Sequence, residues 1–190
     1  MRLVVGITGA SGAIFGVRVL EALKSLDVET HLVMSRWARV TLAHETDCSL
    51  ESLEKLASVV HHQDNQAAPI SSGSFKTSGM IIAPCSMKTI ASIRSGISDT
   101  LLSRAADVTL KERRKLVLLA RESPLSEIHL ENMLALTKMG AVVVPPVPAF
   151  YNRPKTIDDM VTYIVARSLD QFGLDLPTAN RWKGFGACNV

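Results

Sequence analysis

Residues 6–16 read GITGASGAIFG, with Gly6, Gly9, Gly12 and Gly16 set between the apolar run Leu3-Val4-Val5 and a plainly helical stretch. A strand that enters a glycine-rich turn and then opens a helix is built to receive phosphate. Glycines let the backbone approach the anion closely, while free N–H groups and the positive dipole end of the helix point at it. Three readings stay open on this stretch alone: a nicotinamide dinucleotide, a flavin mononucleotide, or a tight turn with no ligand.

The rest of the chain repeats the alternation that this opening announces. Runs rich in Val, Ile and Leu predict strands at 3–8, 30–35, 79–84, 116–119 and 141–144. Helical spacing predicts helices at 13–25, from 37 onward, and at 87–95, 101–111, 124–139 and 156–172. A polar stretch, HHQDNQ at 61–66, and a serine-rich loop at 71–74 precede the third strand. Strands that are apolar throughout and alternate with helices belong to a parallel sheet covered on both faces. The expected fold is α/β, a doubly wound parallel sheet in a single domain, with its ligand beyond the carboxyl ends of the strands. A tail at 174–190, carrying Pro177, Trp182 and Gly184, is expected to pack on the body or on a neighbouring subunit.

Composition bounds the function. A chain of 190 residues with 47% hydrophobic, 21% charged and 5% aromatic residues can bury a core of its own and is not a disordered polymer. The net charge of +3 is too small to argue for nucleic acid. The basic run KERRK at 111–115 lacks interleaved aromatics and falls where a helix ends, a position that favours cations anyway. Cys48, Cys85 and Cys188 are widely spaced and odd in number, which points to a reducing compartment with neither a disulfide framework nor structural zinc. With no signal segment and no run of about 18 apolar residues, a cytoplasmic protein without membrane or nucleic-acid partners is expected.

The predicted strand ends locate the site. They carry Thr8-Gly9-Ala10-Ser11-Gly12, Met34-Ser35, Pro84-Cys85-Ser86-Met87-Lys88-Thr89, Ala120-Arg121-Glu122 and Pro145 through Tyr151. Hydroxyls and an arginine are suited to phosphate and ribityl groups. The nicotinamide reading draws on TGASG and on Tyr151 and Lys155, which fit the Y-x-x-x-K pair of short-chain dehydrogenases. That pair needs one helical turn between its members, and Pro154 lies inside it. The second strand also ends at Ser35, where a dinucleotide fold places an acidic residue for the ribose. The flavin reading is favoured.

TGASGA, HETD at 44–47, PCSMKT at 84–89, RAADVTLKERRKLVL at 104–118, RESPLSEIHLENML at 121–134 and PAFYNRP at 148–154 occur in one order along nearly the whole chain. In these motifs the sequence resembles the flavin prenyltransferases of the UbiX type. The resemblance implies a flavodoxin-like or Rossmann-like sheet and an FMN-binding domain at 1–173. It further implies a homo-oligomer, a dodecamer, with active sites between subunits. The implied activity joins reduced FMN, as substrate, to the five-carbon unit of dimethylallyl phosphate, and the prenylated FMN passes to a UbiD-type decarboxylase.

By the same resemblance, Gly9, Ala10, Ser11, Ser35, Ser86, Met87, Lys88, Thr89 and Arg121 hold FMN. Arg104, Lys111, Tyr151 and Arg167 bind the donor phosphate, and Ser11, Glu45, Arg104, Lys111 and Glu122 take part in catalysis. The expected mechanism is ionisation of the allylic phosphate, attack by flavin N5 and closure at C6, with Glu122 and Lys111 handling protons. No metal site is expected, since the acidic motif for diphosphate-bound magnesium is missing, and the expected donor is dimethylallyl monophosphate. Simpler readings accompany several of these residues. Ser35 and Ser86 suit helix N-caps, Arg104, Asp107 and Lys111 suit an ion-pair stripe, and Ser123-Pro124 reads as N-cap and first position of the next helix. His129 is expected mid-helix, and Cys85 as a small buried apolar group. Ala120 departs from the proline that the family often carries before the Arg-Glu pair. Two alternatives stay open, an FMN-dependent cysteine-type decarboxylase and a non-catalytic flavin carrier.

Overall fold

The computed structural model describes residues 1–182 and 184; the remainder of the tail, with Cys188, lies outside the described residues. Six parallel strands form one sheet in the order β3-β2-β1-β4-β5-β6. They are β1 (Arg2–Ile7), β2 (Glu29–Met34), β3 (Val59–His61), β4 (Gly79–Cys85), β5 (Lys115–Ala120) and β6 (Val142–Val143). Each of β1, β2 and β5 exposes only its first residue in part or whole and then runs buried to its end, as a strand covered on both faces must. The helices are α1 (Ala13–Ser25), α2 (Arg36–Glu45), α3 (Leu50–Glu54), α4 (Met87–Arg94), α5 (Leu101–Lys111), α6 (Glu127–Lys138) and α7 (Ile157–Leu169). Side chains of α1, α2 and α7 fill one layer of the core against the sheet, and those of α4 and α5 with Leu136 of α6 fill the other. The doubly wound, flavodoxin-like arrangement expected from the sequence is the one observed.

Two glycines of the opening stretch have separate structural reasons. Gly12 precedes α1 with φ of 104°, a left-handed conformation that side chains oppose. Gly16 lets α1 lie directly on the sheet, because a Cβ there would stand 2.7 Å from the Ala83 carbonyl oxygen and 2.6 Å from the Ile7 side chain.

Two expectations need correction. The polar stretch at 61–66 begins on the last residue of an unexpected strand, β3, which pairs along the outer edge of β2 through His31 with Val59 and Val33 with His61. Three residues are too short to show a period, and only His61 is buried, against a histidine of β2: His31 Nδ1 lies 2.8 Å from His61 Nε2, with the rings stacked. The helix expected from 124 starts at Glu127. Ser126, not Ser123, is its cap: the Ser126 hydroxyl accepts the His129 N–H at 3.4 Å and the His129 ring accepts the Ser126 N–H at 3.2 Å. His129 therefore sits in the first turn rather than mid-helix. The five-residue α3 was not anticipated.

Strand order reverses between β1 and β4, since β2 and β3 lie to one side and β5 and β6 to the other. At such a switch point the connections leave in opposite directions and a crevice opens above the strand ends. Thr8 spans its base. Its hydroxyl donates to the Pro84 carbonyl at 2.8 Å and accepts the Ser86 N–H at 2.9 Å, while its own N–H reaches Pro84 O at 3.2 Å. With 1% exposure there is no water to replace these bonds. Thr8→Val removes the hydroxyl at constant shape and strands the Ser86 N–H. It should cost about 1–3 kcal/mol in urea unfolding, whereas Thr8→Ser should stay close to the parent.

Candidate functional site

A cavity of 320 Å³ occupies the crevice above β1 and β4. Three helices begin on its wall, each capped by a hydroxyl. Ser35 accepts the Ala38 N–H of α2 at 3.1 Å, Ser86 accepts the Thr89 N–H of α4 at 3.4 Å, and Thr100 accepts the Ser103 N–H of α5 at 3.3 Å. The first N–H groups of each helix have no intrahelical acceptor, and each start carries the positive end of a dipole. Lys88 adds a full positive charge at the rim, 3.9 Å from Asp99, and Thr8, Gly9 and Thr89 also line the cavity. Hydroxyls, helix starts and one lysine form a donor set for a phosphate ester. A larger cavity, 460 Å³, lies between α7 and the tail away from the switch point, and its charges, Arg153, Lys155, Asp158 and Asp159, are mixed in sign.

The start of α1 is different. The N–H groups of Gly12 and Ala13 donate to one oxygen of Glu45, at 2.7 and 3.0 Å, so this helix is capped by a carboxylate of the chain itself. Burial opposes the charge on Glu45, but bonds from Ser11, Ala13 and Gly12 and the nearby Arg121 cation outweigh it and hold its carboxyl below the usual carboxylate range. Glu45 is thus ionised at neutral pH. Arg121 donates through Nε to the Ser11 carbonyl at 3.2 Å, and its N–H is taken by Cys85 O at 3.1 Å. Ser11, Glu45 and Arg121 therefore form one linked group beside the glycine turn.

The remaining candidates divide as follows. Ser35, Ser86, Lys88, Thr89 and Gly9 line the crevice. The Met87 side chain is buried in the apolar layer below, leaving its N–H as the group it can offer. Ala10 and Ser11 stand on the turn next to Gly9, and Glu122 is exposed, its carboxylate accepting the Ser123 N–H at 3.0 Å. Arg104 pairs with Asp107 at 2.7 Å and donates to Ser71 O at 3.1 Å, and Lys111 pairs with Glu112. Since α5 begins at the crevice, Lys111 at its far end is about 16 Å away along the axis. Tyr151 and Arg167 meet at another cavity of 330 Å³, which Tyr163, Arg181 and Trp182 complete. The four expected donor-phosphate residues therefore do not gather at the crevice of a single chain.

The sequence reading missed Thr100, Ser103, Arg36 and Gln63, all on the crevice wall. Thr100 carried a signal, the polar start of a helix, but it follows a helix rather than a strand and so is not among the strand ends that locate the site. Gln63 follows the strand that had gone unseen. Cys85 is fully buried, burial pushes its thiol pKa far up, and it packs in the apolar layer. KERRK is not an open patch: Arg114 donates to the carbonyls of Gly73 and Phe75, at 2.6 and 2.9 Å, and Lys111 is paired. Among the described residues no helix is long and apolar enough to cross a membrane.

A doubly wound sheet with a crevice at its switch point is the architecture of nucleotide- and flavin-binding proteins, and residues 1–169 match the Flavoprotein family. A probable UbiX-like flavin prenyltransferase of Bacillus subtilis is 64% identical over 184 residues, covering 97% of this chain and 90% of that protein. The solved structure of AnUbiX in complex with FMN and dimethylallyl pyrophosphate is 56% identical, covers 97% of this chain and 98% of its own, and superposes with a TM-score of 0.96. A dodecameric FMN-dependent UbiX-like decarboxylase from Escherichia coli O157:H7 is 60% identical over 97% of this chain and all of its own, with a TM-score of 0.95. The chain belongs to the UbiX-type flavin prenyltransferases. An FMN-dependent cysteine decarboxylase of thioviridamide biosynthesis, 15% identical with a TM-score of 0.66, shares the fold alone.

Replacing Glu45 tests its capping role. Glu45→Ala should lower stability by about 1 kcal/mol at pH 7, the usual worth of a helix cap. Because the folded-state pKa is depressed, that contribution is complete above the ordinary carboxylate range and disappears as the pH falls through the folded value. Urea unfolding at pH 7 and at pH 3 should show the gap between parent and variant closing at the lower pH.

Proposed function

We propose that this chain transfers the dimethylallyl group of a dimethylallyl phosphate to N5 and C6 of reduced FMN, and that the prenylated flavin serves a UbiD-type decarboxylase. The observation that carries the reading is the convergence of three hydroxyl-capped helix starts on one cavity at the switch point. The donor set fits FMN: Ser35, Ser86, Thr89, Lys88 and the Met87 N–H take the phosphate and ribityl chain, while Gly9, Ala10, Ser11 and Arg121 border the ring. Bound reduced FMN would supply the nucleophile. The chain supplies everything else.

Arg104, Lys111, Tyr151 and Arg167 hold the departing phosphate, where three cations stabilise charge as it builds on the leaving group. Glu45 stays ionised beside Ser11 and favours positive charge developing on the prenyl carbons, and Glu122 and Lys111 move protons. Because the donor-phosphate residues lie apart from the crevice in one chain, each active site is completed by neighbouring copies that present α5 and α7. The exposed apolar side chains of Ile128, Leu130 and Leu134 on α6, with Phe150 before α7 and Ile157 at its start, support such contacts. A dodecamer like that of the E. coli relative satisfies them. We also propose that residues 1–173 form the FMN-binding domain, that the tail packs across subunits, and that the protein acts in the cytoplasm, where Cys48 and Cys85 stay free.

Anaerobic incubation with FMN, dithionite and dimethylallyl mono- or diphosphate should release a flavin heavier by one five-carbon unit, read by mass spectrometry. Lys111→Met and Arg167→Met should each reduce its formation by about 10²–10³-fold. An unmodified flavin, bound but never alkylated, would favour the carrier or cysteine-decarboxylase readings instead. Shared sites give a second expectation: co-assembling Lys88→Glu with Arg167→Met chains should restore part of the activity that each lacks alone. No recovery in mixed oligomers would mean that each chain works by itself.

A further inference from the structure

Gln63 stands between two of the helix starts that face the crevice. Its side-chain Oε1 accepts the Arg36 N–H of α2 at 3.0 Å, and its backbone carbonyl accepts the Leu101 N–H of α5 at 2.7 Å. A backbone N–H can only donate, so the oxygen of the amide faces Arg36 and the NH2 group faces the other way. That NH2 has no acceptor among the described residues, and Gln63 lines the 320 Å³ cavity. The residue is also held from behind. It follows β3 by two positions, and β3 is pinned to β2 through the buried His31 and His61 rings. The NH2 group is open to the cavity rather than sealed from water, and the bonds to Arg36 and Leu101 hold it on the wall that the starts of α2 and α5 share, so it can donate to an anion there without first giving up another partner.

We infer that Gln63 is a direct ligand of the FMN phosphate and sets the preference of the crevice for a phosphorylated flavin over riboflavin. The inference rests on the reading of the crevice as the FMN site. The amide donates one N–H to a phosphate oxygen, while its oxygen keeps the start of α2 in place, so a single side chain couples the shape of the wall to recognition of the ligand.

The test compares FMN with riboflavin, which share the ring and ribityl chain and differ in the phosphate. Flavin-free full-length protein, Gln63→Glu and Gln63→Met are titrated with each by fluorescence quenching, with thermal unfolding followed in parallel. Gln63→Glu keeps the acceptor for Arg36 but turns a negative charge toward the phosphate. It should weaken FMN by about 10–100-fold, the worth of a bond to a charged group together with the added repulsion, and leave riboflavin unchanged. Added salt should relieve part of that loss. Gln63→Met should lose about 10-fold on FMN alone. Equal losses for both flavins would overturn the inference and reduce Gln63 to a clip between helices, and unchanged FMN affinity in either folded variant would overturn it as well. If the parent itself binds FMN no better than riboflavin, the phosphate is not in the crevice, and that outcome removes the underlying reading rather than Gln63's part in it alone.

Discussion

The hydroxyl of Thr8 joins two strand ends that the topology drives apart. Pro84 has no N–H to offer, and the pairing of β4 with β5 shifts between Ile82 and Cys85, so the ladder cannot hold the carboxyl end of β4 by itself. Thr8 closes the gap by giving a proton to Pro84 and taking one from Ser86. The second of these bonds holds the start of α4, because Ser86, whose N–H it takes just beyond the end of β4, is the cap of that helix. Crevice depth, the direction of the α4 dipole and the position of Lys88 all follow from it.

Around that base the chain divides its helix starts between an internal anion and a cavity. The start of α1 is closed by Glu45, whose charge is sustained by Ser11, by two backbone N–H groups and by Arg121. Those of α2, α4 and α5 meet only neutral acceptors, a hydroxyl cap on each and the two oxygens of Gln63 on Arg36 and Leu101, so among the described residues no carboxylate caps their dipoles. A phosphate held there would meet three dipole ends rather than four, and the glycine turn reaches the cavity through Gly9 alone. The negative charge of Glu45 stands on the glycine turn, whose Gly9 lines the cavity.

The cations tell the complementary story. Arg104 and Arg114 fasten the loop around Ser71–Phe75 by its carbonyls, and Arg167 shares Asp170 with Arg181 of the tail. Arg181 lies foremost among the groups that hold Asp170 below its ordinary range. Arg167 is thus tied into the fold rather than floating. Its partner at the 330 Å³ cavity, Tyr151, bonds the Tyr163 hydroxyl and meets Trp182 edge to face at 5.2 Å. The cavity with Arg167 and Arg181 and the crevice with its three helix starts are thus separate in one chain.

The sheet was legible in the sequence because burial on both faces leaves a continuous apolar run, and β1, β2, β4 and β5 each have one. Ser35 and Ser86 were legible as caps for the same local reason, a small hydroxyl between strand and helix. What tertiary structure alone decided was of another kind. β3 exists because a histidine on β2 supplies its partner, and α6 begins where Ser126 and His129 exchange bonds, two residues beyond the proline that local rules select. Glu45 is 33 residues from the helix start that it caps, and Gln63 reaches the crevice only through the pairing of an edge strand. Sequence by itself determined the layers and the chemistry available at each strand end. Which of those groups face the same point depends on long-range hydrogen bonds and strand order, and no local spacing encodes them.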